Sequence, residues 1–419
     1  MRVPVLPQPP RIAQVYLASS DIDVLCSPIS YFDRQWQGTG ASMTAAESVA
    51  LHGKLWLNED DTRTYLAGTS DYGGVADFPQ TTAVLVRNTA QAALRGFGTW
   101  WMDLPGKGWF DDARLWDEHR RLAPLDAAML ERSAPFQPKI ALILGEESMI
   151  HLAGGSSPMA RPLVYEARAA FGRSGAPYGQ YMLRDAIGGN VPAKLQVFLA
   201  AWSLTPDERR QLRENRPAGT TRLWCYAPGY LLADRADVGA MSEVSGFEHR
   251  LLELNSAVAT PTPAGKALGL ESPWGQAAQI RPLFTVVPAE GDQILATYSD
   301  GSPAVVVRTS RVGTDVFTGV PAWTSQVARA LAKVTGVHLY TTVDANVWAA
   351  EGYLSIHTMS DGPLRLNTGS ADPVEDAFAD VRLGNGPDIA LDTKAGETHV
   401  LKIARTVRLQ RRRELQLRQ

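Results

Sequence analysis

Apolar runs of about four residues alternate with longer helix-like stretches over the first 120 positions. In DIDVLCSPISY, residues 22–25 read as a short buried strand closed by a Ser-Pro loop. TAAESVAL, residues 44–51, has a helical pattern, with Thr44 and Glu47 at capping-box spacing. Residues 54–57 are the next strand, and its apolar run ends abruptly in Asn58, Glu59, Asp60 and Asp61. Residues 81–95 form an amphipathic helix, broken by Gly96-Phe97-Gly98. Residues 99–104, TWWMDL, give a third strand with Asp103 near its end, and 113–122 a helix with Trp116 and His119 on adjacent turns. Strand, loop and helix thus recur three times, with polar side chains at the strand ends. That is the wiring of a (β/α) barrel, whose chemistry sits on the loops after its strands. A closed barrel has eight such units; three are legible.

A different rhythm begins at Pro138. Strands at 139–144, 194–202 and 220–228 alternate with helices at 160–175 and after Thr205. Thr205, Pro206 and Glu208 occupy the N-cap, N1 and N3 positions of a capped helix. This alternation predicts a doubly wound parallel sheet, completed by a strand at 300–308 and a helix at 323–335. From residue 351 the pattern changes again. YLSIHT, LRLNT, VRLGN and HVLKIA are short alternating strands separated by turn signals such as Ser360-Asp361-Gly362. The expected fold class is therefore α/β: a partial (β/α) TIM-type barrel over 1–134, a flavodoxin-like doubly wound parallel-sheet domain over 135–342, and a small antiparallel β-sandwich with a basic tail over 343–419.

Composition narrows the function classes. The 419 residues are 45% hydrophobic and 20% charged, ordinary values for a globular protein with a sizeable core. The net charge of −3 does not mark a nucleic-acid binder. Arg411-Arg412-Arg413 is read as a short solvated tail. The two cysteines, Cys26 and Cys225, exclude a disulfide framework, and neither lies at metal-ligand spacing. The seven histidines include no HExxH motif, so no metal and no cofactor is expected. No stretch approaches the roughly 18 apolar residues of a membrane span, and the proline-rich start lacks a signal-peptide core. The expectation is a soluble, cytoplasmic protein with neither membrane nor nucleic-acid partners.

Two features point to carbohydrate chemistry. Six of the eleven tryptophans fall before residue 120, and a sugar's C–H face packs well on an aromatic ring. Glu59 is the sharpest single candidate. A retaining glycosidase needs a carboxylate nucleophile and a second carboxyl group about 5–5.5 Å away, and Asp60 and Asp61 stand next to it. The plainer alternative is a solvated acidic loop. Arg34 either binds a substrate hydroxyl or makes a structural ion pair with Asp33 or Asp61. Trp100 and Trp101, with Asp103, either form a sugar platform or divide between core and interface. Lys54 either points toward Glu59 or lies on the surface. In the second domain, Gly145-Glu146-Glu147-Ser148 and Gly154-Gly155-Ser156-Ser157 match no phosphate-binding loop. No nucleophile elbow is present, and Cys225 reads as a buried, inert thiol.

The segments DIDVLCSPISYFDR, ESVALHGKLWLNEDDTRTYL and GFGTWWMDLPGKGWFDD together resemble the last three βα units of clan A glycoside hydrolases, in the family 42 β-galactosidase-like group. PKIALIL, LVYEARAAFGRSGAPYGQYML, KLQVFLAAWSLTPDERRQLRENR and LWCYAPGYL are similar to the flavodoxin-like trimerisation domain of that group. The C-terminal strands match its small closing β-domain. The resemblance implies a hydrolase of β-galactosides or related glycosides, with Glu59 in the nucleophile's position at the end of barrel strand seven. It places Trp101 and Asp103 after strand eight and Tyr31 and Arg34 after strand six, as substrate-site residues alongside Lys54, Arg63 and Trp100. The family's acid/base glutamate follows strand four, and nothing here matches strands one to five. The partner carboxyl group is then Asp60, Asp61, Glu47 or a group from another chain. Two other functions stay open: a non-catalytic carbohydrate-binding or assembly remnant, and one half of a split glycosidase. Three exposed parallel strands imply a homo-oligomer, dimer or trimer, or a partner chain that closes the barrel.

Overall fold

The computed structural model describes residues 12–68, 71–104, 106–152, 159–350 and 352–404. The proline-rich start, the Gly154–Ser157 run and the Arg411–Arg413 tail lie outside them. Three parallel strands, β1 (Val24–Pro28), β2 (Leu55–Asp60) and β3 (Gly98–Trp101), form one sheet in that order. Helix α1 (Ile12–Ala18) precedes β1, α2 (Ala46–Leu51) links β1 to β2, and α3 (Phe78–Arg95) links β2 to β3. The polar residues Asn58, Glu59 and Asp60 belong to β2 itself rather than to a loop.

Helix α3 begins three residues earlier than its apolar pattern indicates. Asp77 caps it, accepting from the Gln80 N–H at 2.9 Å, and Gly96 in the left-handed region ends it. The expected box at Thr44 and Glu47 does not form. Helix α2 has Ala45 as its N-cap with no side-chain bond, because Glu47 is drawn inward by a stronger partner. Its carboxylate accepts from Arg95 Nε at 2.6 Å and from the Gln180 N–H at 2.7 Å. The last helix of this region, α4 (Ala113–Leu130), runs eight residues past the expected end, through Pro124.

The second sheet has nine strands. Its parallel part is built from β4 (Ile140–Leu144), β5 (Tyr178–Met182), β6 (Leu195–Phe198), β7 (Thr221–Cys225) and the strand Gly313–Thr318. These lie side by side as β5-β4-β6-β7 and then Gly313–Thr318. Counted along the chain, that is the order 2-1-3-4-5 of flavodoxin-like sheets. The strand at 303–310, expected among the parallel ones, is antiparallel to its neighbour and starts a four-strand antiparallel extension. The Thr205 capping box is present in full, with Thr205 Oγ1 accepting from the Glu208 N–H at 3.2 Å and Glu208 accepting from the Thr205 N–H at 2.9 Å. The helix expected over 160–175 is a wide π-type turn, Arg161–Glu166, followed by Ala167–Gly172. Cys225 is a buried free thiol whose pKa burial pushes up.

The C-terminal strands form a five-stranded antiparallel sheet and a separate two-stranded ribbon, Gly362–Asn367 with Asp388–Thr393. Leu364, Leu366 and Ile389 of the ribbon pack on Val347, Leu354, Ile356 and Leu401 of the sheet, giving a small sandwich core. Among the described residues no helix is long and apolar enough to cross a membrane.

Candidate active site

Successive side chains of a strand point to opposite faces. On β2 this sends Trp56, Asn58 and Asp60 toward helices α2 and α3, where they are 1–2% exposed. Trp56 Nε1 donates to Asn58 Oδ1 at 2.7 Å. The Asp60 carboxylate accepts from Asn88 Nδ2 of α3 at 2.9 Å and from the Thr62 N–H at 3.1 Å. Asp60 therefore anchors strand to helix and is turned away from Glu59. The expectation that it takes part in catalysis does not fit this placement.

Glu59 lies on the opposite, uncovered face. Its register neighbours are Pro28 on β1 and Trp100 on β3. Trp100 is 38% exposed and reaches across the sheet, its Nε1–H donating to Cys26 Sγ at 3.2 Å. The Glu59 side chain is half-buried, and its carboxylate has no hydrogen-bond or ion-pair partner among the described residues. Partial burial, and then the Asp61 charge, push its pKa above the usual carboxylate value.

Asp61 is in a contrasting environment. It follows β2 directly and is 3% exposed. Arg34 Nη1 donates to it in a close ion pair, Arg63 Nη1 approaches at 3.2 Å and the Tyr31 hydroxyl at 3.0 Å. Arg34 is fully buried; its Nε also donates to the Tyr72 carbonyl at 2.5 Å, and its guanidinium lies 4.3 Å from the Tyr31 ring centre. The Arg63 guanidinium lies over the Tyr72 ring at 4.9 Å and over the Trp109 ring at 4.6 Å. The structural ion pair was one of two readings of Arg34, and its partner is Asp61. Asp33 instead accepts two 2.6 Å bonds from Arg173. Tyr31, Arg34 and Arg63 are thus brought together, around Asp61 rather than around Glu59.

The remaining candidates lie elsewhere. Lys54 donates to the carbonyls of Ser19 and Ile22 at 2.7 and 2.6 Å, holding the chain that enters β1. It precedes Glu59 by five residues, roughly 17 Å along a strand. Trp101 points to the helix side, with its ring 3.9 Å from that of His119. The two tryptophans therefore do not form one platform, since adjacent strand residues cannot share a face. Asp103 accepts from the Lys107 and Gly108 N–H groups at 3.0 and 2.8 Å and shapes its own loop. Glu47 is held in the interior by Arg95, away from the uncovered face. Among the described residues no group of three acidic, histidine or cysteine side chains is placed to hold a metal ion.

Sequence reasoning missed Tyr72. It is 57% exposed, sits in the left-handed backbone region and meets Tyr31 edge to face at 5.2 Å. Its only local signal is the Gly73-Gly74 pair that follows it.

No family model and no curated protein sequence matches this chain. Solved structures do. A catalytic mutant of a GH42 β-galactosidase from G. stearothermophilus superposes over 92% of the chain at 12% identity, with a TM-score of 0.58. The β-galactosidase of Rahnella sp. R3 superposes over 91% at 15% identity, with a TM-score of 0.59. The likeness is to the fold of these β-galactosidases. It extends to an α-L-fucosidase isoenzyme from Paenibacillus thiaminolyticus, matched over 89% of the chain at 14% identity and a TM-score of 0.52. The chain spans 60–63% of the length of these three structures. The glycoside-hydrolase resemblance read from the motifs therefore holds at the level of fold.

Proposed function

We propose that this chain is a glycoside hydrolase of the β-galactosidase type, with Glu59 as its carboxylate nucleophile. One observation carries the reading: of the four polar residues 58–61, Glu59 alone is uncommitted and faces the open side of the sheet, beside an exposed tryptophan. Attack on the anomeric carbon would form a glycosyl ester at Glu59, with the sugar's apolar face against Trp100. A second carboxyl group must protonate the leaving group. Asp60 is turned away, and Asp61 is taken up by Arg34, Arg63 and Tyr31. The acid then comes from outside the described residues. The bare face and unpaired edges of the three-stranded sheet support an assembly in which further strands, from an identical or a different chain, supply it.

The test is hydrolysis of nitrophenyl glycosides, β-galactoside first, by the purified protein and by Glu59→Gln. Turnover that falls to background in the variant is the expected result. Turnover unchanged by the substitution removes Glu59 from the nucleophile's role. Asp60, Asp61 and Glu47, the candidates for the second carboxyl group among the described residues, are all committed, which favours one other reading, a non-catalytic carbohydrate-binding protein; galactoside binding with no turnover by either form would establish it.

A further inference from the structure

A cavity lies more than two hundred residues beyond Glu59 along the chain, at one end of the C-terminal sheet. Its volume is about 340 Å³, at the small end of the roughly 300–1,000 Å³ of ligand sites. Tyr340, Tyr353, Thr368, Ser370, Asp372 and Gly352 line it. The two tyrosines are fixed from different sides. Tyr340 packs against the sandwich core and Tyr353 against the neighbouring large core.

The backbone around the cavity is tied down. The Tyr340 N–H donates to the Gly175 carbonyl at 2.8 Å, and its own carbonyl accepts from the Asn367 N–H at 2.7 Å. The Ile403 N–H donates to the Gly352 carbonyl at 2.6 Å, and Thr368 Oγ1 donates to the Ser370 carbonyl at 3.0 Å. Gly352 adopts the left-handed region, and a Cβ there would lie 3.0 Å from the Ile403 carbonyl oxygen, so the site keeps its shape through a glycine. The hydroxyls of Tyr340, Tyr353 and Ser370 have no hydrogen-bond partner among the described residues, while all three side chains are only half-buried.

We propose that this cavity binds a neutral hexopyranose, independently of Glu59. The lining supplies two things such a ring needs. Rigid aromatic surface packs on its C–H face, and uncommitted hydroxyls both donate and accept. Among the described residues the lining includes no cationic side chain, which disfavours phosphorylated or acidic sugars. A pre-shaped pocket of this size holds one ring, so binding is weak and serves to keep a longer glycan on the protein.

The test uses the full chain carrying Glu59→Gln, so that no turnover interferes. Methyl β-galactopyranoside and methyl β-glucopyranoside are titrated by calorimetry and by saturation-transfer NMR. The expected result is millimolar binding of at least one of them, weakened about tenfold or more by Tyr353→Ala. Ser370→Leu, which fills the pocket from a half-exposed position, gives the same loss and guards against misfolding of the tyrosine variant. Binding that survives both substitutions, or no binding of either pyranoside at about 50 mM, overturns the proposal. Trp100→Ala joins Glu59→Gln in the background, so sugar held on the Glu59 face does not contribute and neither result depends on that face.

Discussion

The two parallel sheets of this chain have the same wiring and opposite burial. In the large sheet, β6 and β7 are buried at every residue and β4 at all but its last. In the three-stranded sheet only one face is covered. Trp56, Asn58 and Asp60 are enclosed, whereas Val24, Leu55 and Trp100 are 46%, 43% and 38% exposed. Parallel sheets are ordinarily covered on both faces, which is why their strands read as continuous apolar runs. LWLNED instead alternates, with its leucines on the uncovered side and Trp56, Asn58 and Asp60 on the covered one. The lesson is that the candidate site lies on the uncovered face of the smaller sheet, and its carboxylates differ because β2 sends them to different sides.

The largest expected effect breaks the link between the two sheets. Arg95 of α3 and Glu47 of α2 are both about 96–99% buried at their side chains, and Glu47 also accepts from the β5 backbone. Arg95→Met leaves Glu47 as a buried anion without its cation and should cost about 3–5 kcal/mol in denaturant unfolding. A loss near zero would mean that the two sheets are not coupled through this pair.

The next effect measures the comparison directly. Leu142 in β4 is fully buried, and Leu142→Ala should destabilise by about 2–5 kcal/mol. Leu55→Ala, on the bare face, should change stability by no more than about 0.5 kcal/mol in the isolated chain. Equal losses at the two positions would show that Leu55 is covered in solution, and hence that an assembly forms under the conditions used.

The smallest effect sharpens the picture of Glu59. Its pKa is raised, so the folded chain holds this proton more tightly than the unfolded chain does. The associated stability is present below the unfolded carboxyl value, about 4.3, and is lost as pH climbs through the folded value. Glu59→Gln removes that loss. The variant should therefore gain slightly in melting temperature over the unmodified protein at about pH 7, with the gain shrinking toward about pH 4. A difference that is the same at both pH values would mean that the Glu59 carboxyl titrates alike folded and unfolded.

Much of the fold is legible in the chain. Hydrophobic runs locate β1 to β4, β6 and β7 but not β5, whose YGQYM has Gly179 and Gln180 in place of a continuous apolar run, and Thr205 with Glu208 announces its helix because the capping box is a local bond between residues three apart. The same local logic fails at Thr44. The side chain of Glu47 has a distant guanidinium to satisfy, and a buried ion pair outweighs an exposed cap. Helix α4 outruns its apolar pattern for a similar reason: Leu122, Leu125 and Met129 are buried against the large core.

The sequence by itself determined that a carboxylate cluster would stand at the end of a strand, and that neighbours along that strand would face opposite ways. That follows from backbone geometry alone. Only the tertiary structure decided which way each carboxylate faces and what it meets. Helix α3 brings Asn88 to Asp60, 28 residues away, and the loop after β1 brings Arg34 to Asp61, 27 residues away. The Glu59 carboxylate is left free because no helix among the described residues covers its face. These outcomes depend on which elements dock on which side of the sheet, and a pairing set by docking across tens of residues leaves no trace in local sequence pattern.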